Sequence, residues 1–354
     1  MDLTKYYDKG HTGLVNLGNT CFLNSCLQVL SHTYELNEIF SSPETKIYLK
    51  EKSVEKEIIK EWIDLLGIMW NQNGIVSPNR FVHNVQKIAK KKDRDIFTGW
   101  NQNDMTEFLL FIIECFHTSL SRSVKIKITG KQETTTDLLA IKCYEMLKDT
   151  YNKEYSEIME LFYGIYVSEI KSLDGKQIWS IRPEQFFILD LPIPQIKNKE
   201  IIHLIDCFDA FVRPELLVKD NAWYNEKTKQ KEDIQKGIKF WNFPDVLIIT
   251  LKRFSIDGKH KIKDYIDIPL EDLNLAKYIH GYNANKYIYD LYAVCNHVGN
   301  VYMGHYTAFI KNAKKEWVHY NDQQVNLMEK NEPIITPMAY CLFYRKKISK
   351  YNIR

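Results

Sequence analysis

The chain has 354 residues, 45% of them hydrophobic, and 48 basic residues stand against 45 acidic for a formal net charge of +3. That length supports a sizeable core, in one large domain or in two to three smaller ones. Charge so near balance excludes nucleic-acid binding by bulk electrostatics, and the clusters Lys90-Lys91-Lys92 and Arg345-Lys346-Lys347 read as solvated faces. Seven cysteines, at 21, 26, 115, 143, 207, 295 and 341, form no CxxC pair, so a secreted disulfide framework is not expected. The first residues carry no apolar signal region, and no apolar run reaches membrane-spanning length. The expectation is a soluble intracellular protein with no membrane partner, cytoplasmic, with the nucleus left open.

The first half of the chain reads as helical. Residues 23–30 continue a cysteine loop into a helix. Residues 54–70 place Ile58, Ile59, Trp62, Leu65, Leu66 and Met69 at helical spacing. Ser77-Pro78 predicts a helix start with Ser77 as cap and Pro78 at the first position. Further helices are expected over 106–120 and 136–149. From Phe162 the pattern turns to strands at 165–170, 177–181 and 186–191, with Asp174-Gly175 as a hairpin signal. Later strands are expected at 246–254, 287–296, 305–310, 317–320 and 339–345. The lysine-rich stretch 219–239 reads as an exposed excursion. A helical half followed by a β-rich half predicts an α+β fold.

Two segments carry chemistry. Gly13-Leu14-Val15-Asn16-Leu17-Gly18-Asn19-Thr20-Cys21 is a glycine- and asparagine-rich loop that delivers a cysteine to the start of a helix. A thiol there feels the positive end of the helix dipole, which favours thiolate. Asn16 is placed to donate to an oxyanion, together with the Cys21 backbone amide. The bland reading of Asn16 is a turn residue with a local bond, and that of Cys26 is a small core hydrophobe. Near the other end stand Gly304-His305-Tyr306-Thr307-Ala308-Phe309 and Trp317-Val318-His319-Tyr320-Asn321-Asp322. A thiolate nucleophile needs a base, and the base needs an orienting group. His305 fits the first role, and Asn321 or Asp322 the second. Adjacent strand residues point to opposite faces, so one of the two should dominate unless the backbone turns. His297 and His319 are expected in packing roles.

These two segments resemble the signature boxes of the ubiquitin-specific protease family. Three intervening landmarks agree in order: Gln102-Asn103-Asp104-Met105-Thr106-Glu107-Phe108-Leu109, Leu189-Asp190-Leu191-Pro192-Ile193-Pro194, and Pro244 through Phe254. The resemblance runs from about Gly13 to Arg345. It implies a papain-like cysteine protease fold, with a helical thumb over about 13–160 and a β-sheet palm and β-stranded fingers over about 161–345. Residues 1–12 are then an N-terminal extension and 346–354 a tail. The implied partners are ubiquitin and ubiquitinated proteins, the implied reaction is thiol hydrolysis after the C-terminal glycine of ubiquitin, and no cofactor is needed. Cys21, His305, Asn321, Asp322 and Asn16 take the catalytic places, with Asn321, at the family's third catalytic position, expected as orienter and Asp322 assisting. Asp104 and Glu107 match the family's glutamine box, which departs from its usual pattern at Asn103. They are expected to pair the arginines of the ubiquitin tail, against a capping role. Gly304 and Tyr306 are expected to line a channel too narrow for side chains.

One departure has a metal consequence. Many family members hold zinc at the fingertips with two CxxC pairs. Here the second pair's place reads Asn225-Glu226-Lys227-Thr228, and no cysteine stands near 171–175. Four thiolates are the norm for a closed zinc site, so no metal is expected, and Trp179, Trp223 and Tyr224 are expected to pack the hairpins instead. A monomer is expected. Two other readings stand beside the protease: a ubiquitin-binding scaffold without catalysis, and a papain-like protease for a ubiquitin-like modifier.

Overall fold

The computed structural model describes residues 2–49, 53–71, 73–196, 201–255, 260–300 and 303–347. Its first half is helical. The Cys21–Ser31 helix is buried along its whole length and runs against the Met105–Leu120 helix and the Gly304–Lys311 strand. Lys56–Asn71 and Asn79–Lys91 complete the surrounding layer. The second of these starts one residue later than expected, with Pro78 at the cap position and no side-chain cap from Ser77. The Thr135–Tyr151 helix opens with a capping box between Thr134 and Asp137.

The second half builds two main sheets. The larger orders its strands Gln324–Leu327, Trp317–Asn321, Gly304–Lys311, Ile288–Gly299, Ala339–Lys346, Val246–Leu251, Ile188–Leu191. Pairing along it is antiparallel except for the last pair, which is parallel. Val246–Leu251 is buried at every position, because both faces of this sheet are covered. Val246, Ile248, Ala293, Cys295, Ala308, Cys341 and Phe343 join the helical core. Their neighbours Leu247, Ile249, Leu291, Val294, Leu342 and Tyr344 join a second core on the far side. Continuous apolar runs rather than alternating ones follow directly.

The smaller sheet orders Ile178–Phe186, Gly164–Ser172, Ile234–Asn242, Glu215–Leu217. Its first hairpin closes through the expected Asp174-Gly175 turn, with Gly175 at φ 70° and its N–H donating to the Ser172 carbonyl at 2.8 Å. The expected strand at 186–191 divides in two. Phe186 ends a strand of this sheet, while Ile188–Leu191 lies in the larger one. The excursion at 219–239 holds a minor hairpin, Trp223–Asn225 with Gln230–Glu232. Trp179 and Trp223 pack there with ring centroids 5.7 Å apart, whereas Tyr224 is half exposed. At the tip, Asn225 Nδ2 and Thr228 Oγ1 both donate to Glu232 Oε1, at 3.0 and 2.6 Å. Hydrogen bonds thus knit the turn. Among the described residues no group of three or more His, Cys, Asp or Glu is placed to hold a metal, and no helix is long and apolar enough to cross a membrane.

Candidate active site

Cys21 is the first residue of its helix, after Thr20, and is 3% exposed. Its side chain lines a cleft with Gln102, Asp104, Phe254, Ser255, Gly304 and Tyr306. The backbone N–H of Tyr306 faces the sulfur, which sets the thiol against the His305–Tyr306 peptide. The helix start does not leave this thiol activated. Burial pushes it above its ordinary range, the Tyr306 N–H draws it down, and the Asp322 carboxylate pushes it up again. The expected thiolate-favouring end effect is outweighed by desolvation.

His305 stands on the Gly304–Lys311 strand and Asn321 ends the neighbouring Trp317–Asn321 strand. His305 Nε2 lies 2.7 Å from Asn321 Oδ1. With that oxygen accepting, Nε2 carries the proton and Nδ1 is left with a lone pair. The backbone then turns: Asp322 has φ 50°. Its carboxylate does not reach for the imidazole. Oδ2 accepts from Asn16 Nδ2 at 2.9 Å, and Oδ1 accepts from Asn24 Nδ2 at 2.8 Å. Asp322 thus supports the cysteine loop and its helix through both carboxylate oxygens.

Asn16 makes the local contact weighed for it and a second, distant one to Asp322. Its Oδ1 accepts locally from the N–H groups of Gly18 and Thr20, at 3.0 and 3.1 Å. Its Nδ2 gives one proton to Asp322 and keeps a second.

Asp104 caps the Met105–Leu120 helix, accepting from the N–H groups of Thr106 and Glu107. Its Oδ2 accepts from the hydroxyls of Tyr306 and Tyr340, at 3.2 and 2.6 Å. The carboxylate thereby ties the helical half to the sheet while one side lines the cleft. Glu107 does not join it. It lies in a separate depression with Arg94, Ile96, Phe97 and Glu114, where burial first and Asp104 second push its carboxyl up. It stands one turn from Asp104, close enough to feel that carboxylate, and lines this depression beside it.

Gly304 is required by packing as well as by approach. A Cβ there would sit 2.1 Å from His297 Nε2 and 2.8 Å from the Val298 carbonyl. His297 is buried against Tyr306, with ring centroids 4.6 Å apart. His319 packs edge-on against Phe309 at 4.9 Å, and Cys26 lies fully buried in the core.

Two contacts were not anticipated. Gln102 Oε1 accepts from the Gly304 N–H at 2.7 Å, and its Nε2 donates to Asn19 Oδ1 at 3.4 Å, so one amide bridges the cysteine loop and the histidine strand. Gln102 opens the segment that also holds Asp104 and Glu107, and an uncharged amide there carries no local signal of a partner 202 residues away. Asn24 is 1% exposed. A polar amide one turn after the cysteine, on the same helix, was the available signal.

Comparison with known proteins follows from this geometry. The family model described as ubiquitin carboxyl-terminal hydrolase matches residues 12–344. The chain belongs to the ubiquitin carboxyl-terminal hydrolase family. It is similar to the Bos taurus ubiquitin carboxyl-terminal hydrolase 2, with 31% identity over 350 residues, covering 95% of this chain and 55% of that protein. It is likewise similar to the Homo sapiens ubiquitin carboxyl-terminal hydrolase 21, with 31% identity over 364 residues, 95% of this chain and 61% of that protein. The chain thus spans little more than half the length of these relatives. Among solved structures, the SAGA Ubp8/Sgf11/Sus1/Sgf73 DUB module bound to ubiquitin aldehyde matches with a TM-score of 0.71 and 25% identity, covering 98% of this chain and 72% of that one. The fold of this ubiquitin carboxyl-terminal hydrolase family member is therefore the papain-like α+β arrangement of thumb, palm and fingers expected from the sequence.

Proposed function

We propose that the chain is a thiol-dependent deubiquitinase that hydrolyses peptide and isopeptide bonds after the C-terminal glycine of ubiquitin. The observation that carries the proposal is the His305–Asn321 hydrogen bond, with the Cys21 thiol set against the backbone N–H of the residue after His305. In this reading His305 Nδ1 takes the Cys21 proton, and the thiolate attacks the glycine carbonyl carbon. The oxyanion is met by the Cys21 N–H and by the second amide proton of Asn16, whose first proton is held by Asp322. His305 then protonates the departing amine, and water that it activates releases the acyl group. The terminal glycines of ubiquitin fit a channel whose floor is Gly304 and whose wall includes Tyr306 and Asp104.

We further propose a cytoplasmic location and a monomeric state, with no cofactor. Seven free, buried thiols suit a reducing compartment. The test is cleavage of an isopeptide-linked di-ubiquitin beside a Cys21→Ser control. Loss of the substrate with wild type alone supports the reading. Binding without cleavage supports a scaffold, and cleavage of another modifier instead supports a different substrate.

A further inference from the structure

The two ends of the Cys21–Ser31 helix are both fastened to the strand that carries Asn321. At the start, Asn24 Nδ2 donates to Asp322 Oδ1 at 2.8 Å. At the other end stands His32, the residue that follows the helix, 1% exposed. Its Nδ1 lies 2.8 Å from the Gln28 carbonyl and so carries the proton, which leaves Nε2 to accept. The Tyr320 hydroxyl donates to the Gly10 carbonyl at 3.0 Å and also lies 3.0 Å from that Nε2, so its single proton is shared between two acceptors. Tyr320 is the residue before Asn321 and is itself 1% exposed. By strand alternation its ring points into the helical half while Asn321 points to His305.

The chain segment that supplies Gly10 is held in turn. Gly10 has φ +78°, and a Cβ there would stand 2.6 Å from the Trp70 ring. Two residues on, the Thr12 carbonyl accepts from Gln28 Nε2 at 2.7 Å. The Leu14 N–H then donates to the Asp322 carbonyl at 2.8 Å. Three elements therefore meet at one hydroxyl: the segment before the cysteine loop, the end of the nucleophile's helix, and the strand of the base's partner.

We propose that Tyr320 is a positioning residue, whose hydroxyl junction with His32 and Gly10 sets the helix that presents Cys21 against the strand that aims His305. The inference rests on the assignment of Cys21, His305 and Asn321 given above. Tyr320 touches no reacting atom. It acts by fixing the distance between nucleophile and base, a quantity to which rates are steeply sensitive.

The test compares Tyr320→Phe with Tyr292→Phe. Tyr292 is also buried, and its hydroxyl meets Thr33 Oγ1 at 2.8 Å, one residue from His32. It does not touch Tyr320's junction. Two readouts are taken. The first is hydrolysis of a fluorogenic C-terminal amide of ubiquitin. Tyr320→Phe is expected to lower kcat about tenfold with KM changed less than about twofold, and Tyr292→Phe to change neither. The second is alkylation of Cys21 by iodoacetamide against pH, with Cys21→Ser as blank. Tyr320→Phe is expected to move its midpoint to higher pH, because the base is displaced from the thiol. Tyr292→Phe is expected to leave it in place while lowering Tm to a similar extent. His32→Gln removes the ring acceptor from the helix side and is expected to reproduce the shift, so a poorly folded Tyr320→Phe does not end the test. Equal Tm losses in both tyrosine variants, with unchanged midpoints and kcat, overturn the inference. Alkylation needs no ubiquitin, so a chain that does not hydrolyse ubiquitin but shows the shifted midpoint refutes the proposed function and leaves this inference standing.

Discussion

At the scale of single residues, the pair Asn321 and Asp322 divides the work that the sequence had left shared between them. Asn321 accepts from His305 and fixes its tautomer. Asp322, turned away by its left-handed backbone, holds the amides of Asn16 and Asn24. Asn321→Ala is expected to cut kcat on the order of 10² through loss of imidazole orientation. Asp322→Ala is expected to cut it by a similar order through a loosened oxyanion donor. Steady-state kinetics on a ubiquitin amide checks both, and an unchanged Asn321→Ala beside a dead Asp322→Ala reverses the division. The residue types of this site were readable because a cysteine loop, a histidine and a terminal amide carry distinct chemistry. Their hydrogen-bond partners were not readable. Gln102 and Asn24 gain their roles only when residues some 200 to 300 positions apart are brought together.

Elements were legible where a local signal marks them. The helix over Met105–Leu120 begins at a carboxylate cap, and the hairpin at Asp174-Gly175 needs a left-handed glycine. The short helices Tyr34–Ser41, Pro43–Tyr48 and Glu157–Phe162 were not anticipated. They are too short to show a period, and packing rather than propensity decides them. Asp104 separates two roles at this scale, since it caps a helix and also faces the cleft. Asp104→Asn keeps a good cap but removes the charge, whereas Asp104→Ala removes both and is expected to cost about 1 kcal/mol of stability through the cap alone. A raised KM with little change in Tm for Asp104→Asn is the expected outcome if the charge meets the arginines of the ubiquitin tail. An unchanged KM leaves Asp104 as a cap and a tie to Tyr306 and Tyr340.

For the whole molecule, the junction between helical half and sheet is polar at its centre and apolar around it. That arrangement makes its stability sensitive to acid. Burial first holds both His32 and His297 down to about 4, from an ordinary value of 6.5. Their neutral forms suit the native state, so their contribution is complete above about 6.5. It is lost as pH falls towards 4, where the unfolded chain takes up protons that the native state refuses. The urea midpoint is therefore expected to be lower at pH 5 than at pH 7, and an equal or higher midpoint at pH 5 contradicts the account. The α+β division was visible in the order of helical and strand patterns. The double burial of the large sheet was visible only as unbroken apolar runs, which do not say what covers each face.

The measurement that bears most directly on the central claim is reaction with ubiquitin carrying a thiol-reactive group at its C-terminus, read by intact mass. The account predicts one covalent adduct on wild type, mapped to Cys21, and none on Cys21→Ser. An adduct on another cysteine, or none on folded wild-type protein, contradicts it.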